Sequence, residues 1–199
     1  MGLKIYLNGK IVDERDAVVS VFDHGVLYGD GVFEGIRAYN GRVFRLEQHI
    51  RRLYDSAKAI KLTIPQSPRA MTDVVLATLR ANRLRDGYIR LVVTRGKGDL
   101  GLDPRKCPVP TVFCIAASIQ LYPEKYYREG LALVTGTTRH VRGDQFSPRV
   151  KSLNYLSSIM AKLDGINAGT IETLMLSTEG YVVESRGDYL YVQFTTRWM

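Results

Sequence analysis

With 199 residues, 45% of them hydrophobic and 24% charged, the chain has the composition of a folded protein and not of a disordered one. No apolar run approaches a membrane span and "MGLKIYLNGK" lacks the apolar core of a signal peptide, so no membrane partner and a cytoplasmic location are expected. The net charge of +8 raises nucleic-acid binding, but Lys and Arg are scattered through segments that also contain acids, as in "LDPRKCP" and "RLRDGYIR", and a positive pocket for phosphate and carboxylate ligands produces the same bias without nucleic acid.

Along the chain, "KIYLNGKIV" and "GIRAYNGRVFRL" each set Asn-Gly between apolar runs, the signature of a two-residue hairpin. Running into the second of them, "HGVLYGDGVFEGIRAY" gathers Gly25, Gly29, Gly31 and Gly35 around Tyr28, Phe33, Glu34 and Arg37. Its spacing fits neither a Walker loop nor a Rossmann fingerprint, so the plain reading is a turn entering a strand, with Glu34 and Arg37 paired in a core. Leu46, Ile50, Leu53, Tyr54, Ala57 and Ile60 share one face of a predicted helix. Ser67-Pro68 then reads as an N-cap with proline at the first helical position, opening a second helix through "PRAMTDVVLATLRANRL". The strands "GYIRLVVTRG" and "PTVFCIAASIQL" follow and complete an α+β unit over residues 1–121. Cys107 and Cys114 have no metal-ligand spacing, and no metal is expected.

"YPEKYYREG" reads as a connector, residues 122–130, ahead of a second unit over 131–199. There "LALVTGTTRHV" is a strand and "IETLMLSTEGYVVES" a hairpin turning near Glu179-Gly180. In "RVKSLNYLSSIMAKL" the apolar spacing of Leu156, Ile159, Met160, Leu163 and Ile166 predicts a helix. Ser152 can cap it, leaving Lys151 just outside the first turn. A helix N-terminus is a poor place for a second cation, so Lys151 is either a solvated charge or an amine kept for reaction.

Other side chains allow two readings. Arg51 and Arg52 can both be solvated charge, but Arg52 adjoins core-facing Leu53 and can reach inward to fork onto a phosphate. Strand alternation puts Tyr88 and Arg90 on one face, where a phenol and a guanidinium can hold a carboxylate.

Taken together, "VFDHGVLYGDGVFEGIRAY", "RLEQHIRRLYDSAK", "YIRLVVTRGKGDLGLDPRK", "VKSLNYLSSIMAKL" and "GYVVESRGD" resemble the class IV, fold-type IV pyridoxal-phosphate enzymes. The likeness is greatest to prokaryotic branched-chain amino-acid aminotransferases and runs over residues 3–192. It implies an α+β fold, with a small N-terminal α/β sandwich and a partial C-terminal cofactor domain. It also implies pyridoxal 5'-phosphate as cofactor and ping-pong transamination of Leu, Ile and Val with 2-oxoglutarate. Small-molecule amino acids and 2-oxo acids are then the partners, and a homodimer or larger homo-oligomer the assembly. Residue by residue, Lys151 matches the lysine that forms a Schiff base with the cofactor aldehyde. Arg52 matches the arginine at the cofactor phosphate, Tyr155 the tyrosine at its phenolic oxygen, and Glu184 the acid at the pyridine nitrogen. Tyr28, Phe33, Tyr88 and Arg90 match residues of the substrate pocket, and Arg37 is added as a partner of Glu34.

The chain departs from the family pattern at Tyr189 in "GDYLY", where asparagine is usual, and "QFTTRWM" matches nothing expected there. The family's further C-terminal part has no counterpart, so a shortened chain is expected. The alternatives are a D-amino-acid aminotransferase, an aminodeoxychorismate lyase, or an inactive member kept as a binding module.

Overall fold

A computed structural model describes residues 2–119 and 122–185 of the chain. Both Asn-Gly pairs turn hairpins. Asn8 and Gly9 (φ 45° and 96°) join β1 (Lys4–Leu7) to β2 (Lys10–Asp13). Asn40 and Gly41 (φ 51° and 78°) join β3 (Gly31–Tyr39) to β4 (Arg42–Val43). Positive φ at both central residues gives a turn whose twist matches the flanking strands. With β5 (Gly87–Thr94) and β6 (Thr111–Ala117) these strands make a six-stranded antiparallel sheet, ordered β2-β1-β6-β5-β3-β4.

Alternation gives the sheet two unlike faces. Val32, Ile36, Ile89, Leu91 and Val93 turn one way and are buried. Over them lie α2 (Leu46–Ala59) and α3 (Pro68–Ala81), which contribute Ile50, Leu53, Met71 and Val75 to the core. Burying Leu53 completely is worth about 1.5–3 kcal/mol against leaving it in water. Ser67 caps α3 as the sequence predicts, its hydroxyl accepting from Ala70 N–H at 3.2 Å. The opposite face of β3 and β5 carries Phe33, Gly35, Arg37, Tyr88 and Arg90, of which only Phe33 is buried.

The glycine-rich stretch opens with a short helix, α1 (His24–Tyr28), that ends in a left-handed Gly29. Buried Asp23 accepts from Gly25 N–H at 2.8 Å, Thr94 Oγ1 at 2.9 Å and Thr111 Oγ1 at 2.7 Å. Those bonds fasten α1 to the ends of β5 and β6.

The chain divides into two compact units, 1–121 with 149–154, and 122–148 with 155–199. The segment 149–154, which the sequence assigns to the second domain, therefore returns to the first. Phe33 N–H donates to the Lys151 carbonyl at 3.0 Å and Leu153 N–H to the Gly31 carbonyl at 3.0 Å, with Val32 and Ser152 bridged between them. Ser152 consequently does not cap a helix, contrary to expectation. The edge of β3 has backbone groups to satisfy, and residues 151–153 satisfy them. The Ser152 hydroxyl accepts from Asn154 N–H at 3.3 Å, and the helix, α5 (Leu156–Asn167), begins later with Tyr155 at its N-cap position.

In the second unit the expected connector holds a short helix, α4 (Lys125–Glu129). β7 (Leu133–Arg139) and β8 (Glu172–Leu176) run parallel, joined by the segment that includes α5. Such a crossover is what parallel neighbours require. β8 turns at Gly180 (φ 89°) into antiparallel β9 (Val182–Ser185), the hairpin that the sequence predicts. α5 packs on β7 and β8 through Ala161 and Gly165, while Leu156, Ile159, Met160, Leu163 and Ile166 stay exposed. No described helix is long and apolar enough to cross a membrane.

Candidate active site

Directly opposed residues of antiparallel strands share a face, so the pairing along β3 puts the Lys151 side chain beside Phe33. The Lys151 Nζ stands 4.6 Å from the centroid of the Phe33 ring. From β5, Arg90 reaches the same ring at 4.6 Å and lies 5.3 Å from that of Tyr88. Each cation–ring contact is worth about 0.5–2 kcal/mol, depending on exposure. Two cations gathered at one buried ring make an electropositive spot suited to carbonyl and carboxylate groups. Tyr88 leans over Gly35, where a Cβ would stand 2.1 Å from the phenol oxygen, so glycine is what lets the phenol lie there.

On the core side of the same strand, Glu34 is 0% exposed. It accepts from Arg52 Nε at 2.6 Å, from Arg52 Nη2 at 2.6 Å and from His49 Nδ1 at 2.8 Å. Burial pushes its carboxyl up, but the hydrogen bonds from Arg52 and His49 and their charges outweigh it and hold the pKa below the usual range. Arg37 is not its partner, contrary to the expectation from sequence. Positions 34 and 37 fall on opposite faces of a strand. Arg37 stacks on Tyr39 at 5.3 Å instead, and its Nε is buried with no hydrogen-bond partner among the described residues.

One turn beyond Arg52 on α2, the Ser56 hydroxyl accepts from Lys151 N–H at 3.1 Å. A turn of helix advances 5.4 Å, so one face of α2 serves both the lysine backbone and the arginine stem. His49, Arg52 and Ser56 are spaced three and four apart, and that polar row beside the apolar stripe was the signal for His49 and Ser56, which the sequence reading leaves out.

Of the residues assigned by resemblance, Lys151, Phe33, Tyr88 and Arg90 come together, with Arg52 anchored nearby on α2. Tyr28 belongs to a different cluster. Its phenol donates to the Leu100 carbonyl, and its ring meets His24 edge-on at 5.0 Å. Tyr155 lies in the second unit, its carbonyl accepting from Ile159 N–H at 2.9 Å. Glu184 stands opposite Met175 in the β8–β9 ladder, but its side chain lies outside the described residues, as do Tyr189 and "QFTTRWM". No group of three His, Cys, Asp or Glu side chains that could hold a metal ion occurs among the described residues.

A Methanocaldococcus jannaschii protein provisionally named a branched-chain-amino-acid aminotransferase is 58% identical over 190 residues, which cover 96% of this chain and 65% of that protein. A D-alanine aminotransferase of Bacillus licheniformis is 34% identical over 196 residues, covering 96% of this chain and 65% of its own length. Among solved structures, the branched-chain aminotransferase of Thermoproteus uzoniensis with norvaline superposes with a TM-score of 0.86 at 37% identity, covering 94% of this chain and 64% of that one. A second branched-chain amino acid aminotransferase, from T.th. and solved with pyridoxamine 5'-phosphate, gives 0.88 at 34% identity, covering 94% and 63%. The chain thus spans 63–65% of the length of these relatives. The family described as amino-transferase class IV matches residues 31–187, a stretch that includes Phe33, Arg52, Tyr88, Arg90 and Lys151. Matched over most of its length, the chain belongs to the class IV aminotransferases.

Proposed function

We propose that the chain binds pyridoxal 5'-phosphate and carries out transamination of branched-chain L-amino acids, with 2-oxoglutarate as amino acceptor. The observation that carries this reading is the meeting of Lys151 and Arg90 on the buried ring of Phe33. An amine, a guanidinium and an aromatic floor fit a flat ligand with a carbonyl and an anionic group, and Arg52 adds a cation for a phosphate. When bound, the cofactor supplies an aldehyde to take the amino group and a ring to absorb the electrons of the broken Cα–H bond.

The rest is work for the protein's own side chains. Lys151 Nζ would carry the proton from the substrate Cα to the carbon that was the cofactor aldehyde, and the reverse half-reaction would run the same transfer backwards. Arg90, braced by Tyr88, holds the substrate carboxylate, and Phe33 excludes water beneath it. Arg52 holds the phosphate. Tyr155 and Glu184 are assigned by resemblance to the phenolic oxygen and the pyridine nitrogen, where Glu184 keeps a proton in place. An apolar side chain suits a floor made by Phe33. The homo-oligomer and the cytoplasmic location belong to the same proposal.

The test is chemical. The chain is incubated with pyridoxal 5'-phosphate, reduced with borohydride and digested, and the modified residue is mapped. Label concentrated on Lys151 is expected, whereas label spread over surface lysines, or none, refutes the reading. Turnover of L-Leu against D-Ala, each with 2-oxoglutarate, then separates the branched-chain reading from that of a D-amino-acid aminotransferase. Label at Lys151 without turnover identifies an inactive binding module.

A further inference from the structure

We propose that Glu34, backed by His49, is a positioning residue that presents Arg52 to the cofactor phosphate; this rests on the function proposed above. The two ends of the ion pair differ in environment: Glu34 is 0% exposed, whereas the Arg52 side chain keeps 39% of its surface. A buried carboxylate therefore grips an arginine whose side chain is itself partly exposed. The grip is two-pronged, through Nε and Nη2 at 2.6 Å each, which fixes the plane of the guanidinium and directs its Nη1 edge away from Glu34. His49 donates at 2.8 Å to the same Oε2 that Arg52 Nη2 reaches, so the carboxylate itself is held from a second side.

The sequence explains why the anchor sits where it does. Phe33 and Glu34 are neighbours on β3, and alternation sends the ring to one face and the carboxylate to the other. A single strand thereby sets both the floor beside Lys151 and the anchor of Arg52. Ser56, on the same face of α2, ties the Lys151 backbone into this arrangement at 3.1 Å. An arginine held this way has lost its rotamer freedom before a ligand arrives, and preorganisation of that kind strengthens binding without a new contact.

The experiment compares two probes on the full chain, pyridoxal 5'-phosphate and pyridoxal, by absorbance titration of each. The dissociation constant of pyridoxal divided by that of pyridoxal 5'-phosphate isolates the phosphate contribution. Glu34→Gln is expected to lower that ratio about tenfold, the scale of one charge-assisted hydrogen bond, while pyridoxal affinity stays within about twofold. Arg52→Ala should lower the ratio further, and adding Glu34→Gln to it should change nothing more. If Glu34→Gln weakens both probes alike, or leaves the ratio unchanged, Glu34 is only a structural partner and the proposal falls. If Arg52→Ala leaves the ratio unchanged, the assignment of Arg52 to the phosphate fails first, and the proposal with it. Should Glu34→Gln not fold, His49→Gln supplies the second variant, with an expected drop of about two- to fivefold for a weakened neighbouring bond. An unchanged ratio there would equally overturn the role.

Discussion

Glu34 makes stability depend on pH in a direction that its partners decide. Its carboxyl is held below the ordinary value of 4.5 because the bonds from Arg52 and His49 outweigh burial. A folded-state pKa below the unfolded one stabilises the fold fully above about pH 4.5, and the gain is lost as pH falls through the lowered value. Arg52→Ala reverses the sign. With only His49 left, the desolvated carboxylate titrates above its unfolded value, and its charge destabilises the fold at every pH above that point. The expected loss is about 1–3 kcal/mol at pH 8, reduced from the fully buried case because water screens Arg52. It should shrink as pH falls towards 4. Urea unfolding of both proteins at pH 8 and pH 4.5 checks this, and an equal loss at the two values would mean that packing, not charge, is what Arg52 contributes.

Helix α5 separates what periodicity can read from what it cannot. Apolar spacing locates the helix, but the apolar stripe is the exposed face, and the small residues Ala161 and Gly165 make the contact with β7 and β8. Small residues let backbones approach, and a Cβ on Gly165 would stand 2.4 Å from the buried Thr173 Oγ1. Gly165→Ala is therefore expected to cost about 1–3 kcal/mol by overpacking. Leu163→Ala, at a side chain 43% exposed, should cost less than about 1 kcal/mol. Denaturant midpoints rank the two variants, and the opposite order would mean that the apolar stripe is the packed face. Elsewhere local chemistry made the elements legible: Asn-Gly demanded its hairpins, Ser67-Pro68 its helix start, and alternation joined Tyr88 to Arg90. Ser152 misled because it is a good cap locally, and the backbone demand that overrode it comes from a strand far away in sequence. Arg52 was readable as a fork, but its partner was not, because Glu34 and His49 meet only once β3 lies beneath α2.

The route of the chain brings Lys151 to the Phe33 ring. After residue 121 the chain leaves the first unit, forms β7 in the second, and returns to the first over 149–154 before α5 begins. Lys151 is thus delivered by edge pairing, held by two backbone hydrogen bonds to β3 and by the Ser56 hydroxyl rather than by the start of a helix. That dependence can be read at a single amide. In the full chain, Phe33 N–H donates to the Lys151 carbonyl, whereas amides at the centre of β5 have strands on both sides. A fragment of residues 1–121 keeps the strands of the six-stranded sheet but lacks residues 151–153, so the first half of β3 becomes an open edge. Hydrogen exchange at Phe33 should then rise towards the unprotected rate while Leu91 stays protected, since local opening no longer has to break a bond at the edge. The fragment should also self-associate more readily, because an unpaired edge offers a template for another strand. If Phe33 were as well protected in the fragment as in the full chain, the 149–154 segment would not be what closes β3, and Lys151 would need another explanation for its place beside the ring.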